Sequence, residues 1–187
     1  DCGMNTAKKL QKAFDTSEDV YEWEKENLTE ATKQRALNLG ISEEVIYDLK
    51  IKTPMFSEDE LAFPVFMFGH LIDIRTYNPG GNPKVKSRIG CPSGLIIPFD
   101  DWTETPNTRM TILCAGEKDM AIARSKGFNA ITITGGENAI PSQLTYFKDR
   151  HVAICYDNDD AGKTGALKVA KELLKYTPYV KVVTKFH

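Results

Sequence analysis

Residues 109–119 read RMTILCAGEKD and residues 151–162 read HVAICYDNDDAG. Each is a short apolar run that breaks abruptly into acids beside a glycine, as a buried strand does at its end. The chain between and beyond them alternates. Met110–Ala115 predicts a first strand and Asp119–Lys126 a helix with Met120, Ile122 and Ala123 inward. Ala130–Thr134 predicts a second strand, ended by Gly135-Gly136, and a helix around Ser142–Phe147 leads to a third, His151–Tyr156. A helix over Asp160–Tyr176, with Leu167, Ala170, Leu173 and Leu174 at helical spacing, precedes a fourth strand at Tyr179–Val183. This order predicts an α/β fold with a mostly parallel sheet, right-handed crossovers and helices on both faces.

In open α/β sheets, functional groups gather beyond the carboxyl ends of the strands. If the first and third strands are neighbours, Glu117 and Asp119 face Asp157 and Asp159 across one crevice. Carboxylates held that close repel unless a cation joins them. Magnesium, or manganese, suits hard carboxylate oxygens and keeps water ligands for a phosphate. A structural reading competes: acids before a helix cap it and favour its dipole. One cap uses one acid, however, not three in four residues together with a second acidic strand end. Gly162-Lys163-Thr164 does not complete a phosphate loop, because Asp157 stands where that motif needs glycine. His70, His151 and His187 have neither zinc spacing nor a triad pattern.

Upstream, Phe63, Val65, Phe66 and Phe68 precede Gly69, and Leu71, Ile72 and Ile74 follow it, which predicts two strands and a tight turn. The run Asn78-Pro79-Gly80-Gly81-Asn82-Pro83 is a loop. Lys84, Lys86 and Arg88 then alternate with Val85 and Ser87, a period that puts three cations on one strand face. Gly94–Pro98 predicts a short apolar strand, and Asp100–Asn107 a polar linker. Further upstream, Ser17 with Glu18 and Asp19 starts one helix, Thr29-Glu30 starts another that stops at Gly40, and Ser42 caps a third with Val45, Ile46 and Leu49 on one face. The expected organisation is a helical lead-in over residues 1–60, a small mixed α+β basic subdomain over 61–108 and the α/β domain over 109–187.

Of the 187 residues, 41% are apolar and 10% aromatic, enough for a packed core. The net charge of −2 is uneven: residues 1–60 carry 8 Lys and Arg against 14 Asp and Glu, whereas residues 61–99 carry four cations against Asp73 alone. That basic island suits a phosphate-facing surface or a solvated strand face. No apolar run suffices to span a bilayer and no signal peptide opens the chain, so no membrane partner is expected. Cysteines at 2, 91, 114 and 155 form no short pairs, which points to reduced thiols and a reducing cytosol. The chain starts at Asp1 rather than Met, as a piece of a longer protein would.

Cys114-Ala-Gly-Glu-Lys-Asp119 followed by Asp157-Asn-Asp-Asp-Ala-Gly162 resembles the TOPRIM domain of primases, topoisomerases and RecR-type proteins. There an E-G-x-x-D stretch follows the first strand and D-x-D the third. The D-x-D-x-A-G form, with Phe63-Pro64-Val65, Gly69, Arg75 and the lysines before Gly90, looks most like phage primase–helicase and Twinkle-type primases. Cys2-Gly3 resembles the tail of their zinc ribbon, and one cysteine builds no zinc site here.

This resemblance implies magnesium-dependent synthesis of RNA primers from NTPs on single-stranded DNA, with a replicative helicase in cis or trans. It implies Asp157, Asp159 and Glu117 as metal-binding and catalytic residues, and Asp119 and Asp160 as their supports. Arg75, Lys84, Lys86, Arg88, Lys118 and Lys163 would hold nucleotide or DNA. The departure is Ala115, where the family has its catalytic Glu. Glu117 reaching the same pocket, an engineered alanine, or a domain that keeps only binding would each explain it. A non-catalytic TOPRIM module and a TOPRIM nuclease are the alternative functions.

Overall fold

The computed structural model describes residues 28–54, 57, 59–88 and 90–184. The helix expected from Ser17 and the zinc-ribbon tail at Cys2-Gly3 lie outside them. The chain forms two compact units that divide between Pro92 and Ser93.

In the first unit, helix α1 (Glu30–Asn38) starts where Thr29 accepts a hydrogen bond from the Thr32 amide. It stops at Gly40, whose φ of +89° lets the Ile41 amide turn back to the Ala36 carbonyl at 3.1 Å. Ser42 then caps α2 (Glu43–Asp48), which buries Val45, Ile46 and Leu49 as its spacing predicts. Strands β1 (Leu61–Met67) and β2 (His70–Tyr77) form the expected hairpin. Its two-residue turn, Phe68-Gly69, has positive φ at both positions, the twist that two-residue hairpins favour.

The third strand of this sheet is shorter than the alternation of cations suggests. Regular pairing covers only β3 (Val85–Lys86), opposite Thr76 and Tyr77. Beyond it the Arg88 amide is drawn to the buried Asp73 carboxylate at 3.0 Å instead of continuing a ladder.

The second unit is a five-stranded sheet in the order β4-β6-β5-β7-β8, with β4 (Ile96–Ile97), β5 (Thr111–Cys114), β6 (Ala130–Ile133), β7 (Val152–Cys155) and β8 (Val180–Val182). β5 to β8 run parallel and β4 pairs antiparallel on the edge against β6. This is the mostly parallel α/β sheet expected from the sequence. β5 lies at its centre, so the chain leaves β5 toward β6 on one side and leaves β7 toward β8 on the other. The crevice between β5 and β7 is therefore the switch point of the sheet.

The stretch expected to be a linker is structural. Asp100–Thr103 forms α3, and Trp102 is fully buried against Phe147 at 4.7 Å. Arg150 lies 4.5 Å over the Trp102 ring and donates to the carbonyls of Thr105 and Thr103. One tryptophan among polar residues carries no periodicity, which is why the sequence reads as loop.

Two helical faces also differ from expectation. α4 (Glu117–Ser125) buries Glu117, Met120 and Ala121, while Ile122 and Ala123 are only partly covered. α5 (Asp160–Leu173) buries Gly162, Gly165, Ala166, Val169, Ala170 and Leu173 and leaves Leu167 and Leu174 exposed. The first half of its contact stripe is built of small residues, because at Gly162 and Gly165 the helix lies against backbone, whereas Val169 and Leu173 fill the second half. The helix expected around Ser142–Phe147 is a single 3₁₀ turn, Leu144–Phe147, with Phe147 buried. No helix among the described residues is long and apolar enough to cross a membrane.

Candidate active site

β5 and β7 are direct neighbours, with Cys114 opposite Cys155, so the two acidic strand ends flank one crevice. After β5 the chain passes Ala115 and Gly116, and Gly116 serves as the N-cap of α4 without a side-chain bond. Glu117 opens the helix and is 1% exposed. Asp119 forms an ion pair with Lys118 at 2.9 Å. Lys118 keeps about a third of its side chain exposed beside this pair.

After β7, Asp157, Asn158, Asp159 and Asp160 are all exposed. Asp159 caps α5, its Oδ1 accepting from the Gly162 amide at 2.7 Å. The capping reading thus holds for Asp159, but the Asp157 side chain takes no part in that cap. Lys163 stands exposed on the first turn of α5.

The end of β6 brings in a residue that the sequence reading missed. Gly135 and Gly136 both have positive φ, +90° and +59°, and turn the chain back over the neighbouring strand ends. A Cβ placed on Gly136 would lie 3.4 Å from the Ala115 carbonyl, and one on Gly165 of α5 would lie 2.3 Å from the Glu137 carbonyl. Glu137 is thereby fixed beside α5, and its Oε2 is buried without a hydrogen-bond partner. Its carboxyl is pushed above the usual carboxylate range, first by burial and then by the charges of Asp159 and Asp157. The Tyr156 hydroxyl is also buried without a partner, and burial, Cys114 and Glu137 all raise its pKa. The available signal was an acid directly after the Gly-Gly turn of the middle strand.

No three His, Cys, Asp or Glu among the described residues lie close enough to enclose a metal ion by themselves. Glu117, Asp157 and Asp159 are therefore not gathered as a three-carboxylate cage. The donor set still fits a hard cation that retains water and phosphate ligands. A buried carboxylate oxygen without a partner, in the field of two further carboxylates, is stabilised by positive charge.

The remaining sequence candidates belong to the first unit. Lys84, Lys86 and Arg88 are exposed, while Arg75 is buried and donates to the Ser87 hydroxyl. Cys91, Cys114 and Cys155 are free thiols.

The family described as Toprim-like matches residues 112–185, from β5 through β8. The second unit contains a Toprim-like domain. No curated protein matches the chain by sequence. Among solved structures, the bacteriophage T7 primase-helicase primase fragment superposes with a TM-score of 0.60 at 15% identity, covering 79% of this chain and 62% of that one. The Aquifex aeolicus primase zinc-binding and RNA polymerase domains give 0.63 at 16%, covering 84% and 50%. A DnaG primase catalytic domain bound to ssDNA gives 0.65 at 16%, covering 91% and 70%. The chain thus spans half to about three-fifths of the first two structures, and at such identities the likeness is one of fold.

Proposed function

We propose that the chain acts as the catalytic core of a DNA primase, joining ribonucleotides into short primers on single-stranded DNA with magnesium or manganese. The observation that carries this reading is that two acid-bearing strand ends flank the β5–β7 switch point of a Toprim-like domain. The fold likeness to primase cores, which extends over the first unit as well, supports it.

Asp157 and Asp159 would hold the ion, with Glu117 contributing from α4, and the bound ion would neutralise charge on the incoming triphosphate. Glu117, shielded from water at the head of its helix, is suited to take the proton of the primer 3′-hydroxyl or to complete the ion's surroundings. Asp119, in the first turn of α4 with Glu117, would support the site from beside it, its charge favouring the helix N-terminus. Asp160 opens α5 beside the cap. Lys84, Lys86, Arg88 and Lys163 are exposed cations suited to hold phosphates in a salt-sensitive, sequence-independent way. Arg75 orders the segment after β3 through Ser87. The likeness to the T7 primase-helicase suggests a replicative helicase as partner.

Ala115 favours a second reading, a TOPRIM module that binds DNA or a partner protein without catalysis. Primer synthesis from ribonucleotides on single-stranded DNA, with magnesium or manganese, separates the two. Asp157→Ala should abolish synthesis with the thermal melt nearly unchanged. Synthesis that survives this substitution would sink the metal assignment, and none from the unaltered chain would favour the binding module.

A further inference from the structure

We infer that Glu137, backed by the Tyr156 hydroxyl, is a cation ligand of the β5–β7 crevice, brought in from the loop after β6. This rests on the metal reading proposed above and names a residue that reading does not contain.

The backbone argument comes first. Gly135 and Gly136 turn the chain so that the loop lies against the end of β5, with Gly136 close to the Ala115 carbonyl. On its other side the loop meets α5, where a Cβ on Gly165 would stand 2.3 Å from the Glu137 carbonyl and 3.2 Å from the Glu137 Cβ. Glu137 is held from both sides, near the helix that Asp159 caps. The backbone sets where the Glu137 side chain starts, and its buried Oε2 shows that it turns inward.

The chemistry follows. Glu137 Oε2 and the Tyr156 hydroxyl are both buried and both lack a partner. Tyr156 is only 5% exposed, so its hydroxyl has no water to turn to. The charge of Glu137 is felt at Tyr156, and each group is unfavourable where it stands without a partner. A cation satisfies the carboxylate, and a phenolic donor is the kind of group that orients a ligating carboxylate. Ala115 ends the central strand in a methyl group, so the loop after β6 is where a further oxygen enters.

The test is manganese binding to the whole chain, read by the electron paramagnetic signal of free ion, with thermal melts in parallel. Glu137→Gln should weaken binding about tenfold or more, and Tyr156→Phe about tenfold, as for groups that orient ligands. Without metal, Glu137→Gln should melt higher than the unaltered chain, and manganese should no longer raise its melt. If that variant folds poorly, Glu137→Asp, which keeps the charge but shortens the reach, should bind more weakly with an intact melt. Unaltered affinity in Glu137→Gln or Glu137→Asp, with binding lost in Asp157→Ala, overturns the inference and leaves the metal site standing. No binding by the unaltered chain overturns both.

Discussion

A Cβ on Gly162 would stand 2.2 Å from the backbone carbonyl of Asp157. The first turn of α5 therefore closes directly on the loop that carries the acids, and no side chain fits between them. Alanine in an exposed helix is worth about 0.5–1 kcal/mol more than glycine. Here the clash is with backbone, which cannot swing aside, so the overpacking cost of about 1–3 kcal/mol should win. Gly162→Ala is expected to lower the urea midpoint and to impair primer synthesis, and a raised midpoint would refute the close approach.

Asp159 has a second duty that Asp157 lacks. Removing its cap in Asp159→Ala should cost about 1 kcal/mol of stability in chemical denaturation. Asp159→Asn keeps an accepting oxygen, so it should recover that stability while synthesis stays impaired. Equal melts for the Ala and Asn variants would show that the cap bond contributes nothing.

Trp102 tests whether residues 93–108 are part of the second unit's core. The ring is fully buried, touches Phe147 and Arg150, and donates from Nε1 to the Thr111 hydroxyl at 3.3 Å. Trp102→Ala should cost about 3–5 kcal/mol, measured by urea denaturation. A loss below about 1 kcal/mol, the scale of a surface change, would return the segment to linker status.

The Cys114 thiol is pushed up to about 12, by burial first and then by Cys155 and Asp119. Thiolate is the reactive form, and a raised pKa keeps the proton on until strongly alkaline pH. Iodoacetamide at pH 8 should leave Cys114 unlabelled in the folded protein and label it readily in urea, as read by mass spectrometry. Prompt labelling of the folded chain at that pH would contradict its burial.

Much of this was legible because the relevant signals are periodic or positional. The caps at Thr29 and Ser42, the stop at Gly40, the hairpin around Phe68-Gly69 and the strand–helix alternation of the second unit all follow from local chemistry. The α5 contact stripe was not legible, since Gly162, Gly165 and Ala166 mark closeness rather than hydrophobicity, and Leu167 draws the eye to the wrong face. Trp102 was hidden for the opposite reason: one large side chain among polar ones has no period. In the site, Asp157 and Asp159 stood out by spacing. Glu137 did not, because its place depends on two glycines with positive φ folding the loop over Ala115.

The two-residue strand β4 decides where the Toprim-like unit can be cut. Gly94 begins it so tightly that a Cβ there would stand 2.2 Å from the Ile140 carbonyl, and Ile96 and Ile97 cover the outer edge of β6. A recombinant piece started at residue 109 would strip that cover and leave the backbone of Thr132 and Ile133 open to solvent. Bare strand edges recruit other chains, so such a piece is prone to self-association whatever its catalytic groups. The shortest piece that keeps its own edge closed starts at Ser93.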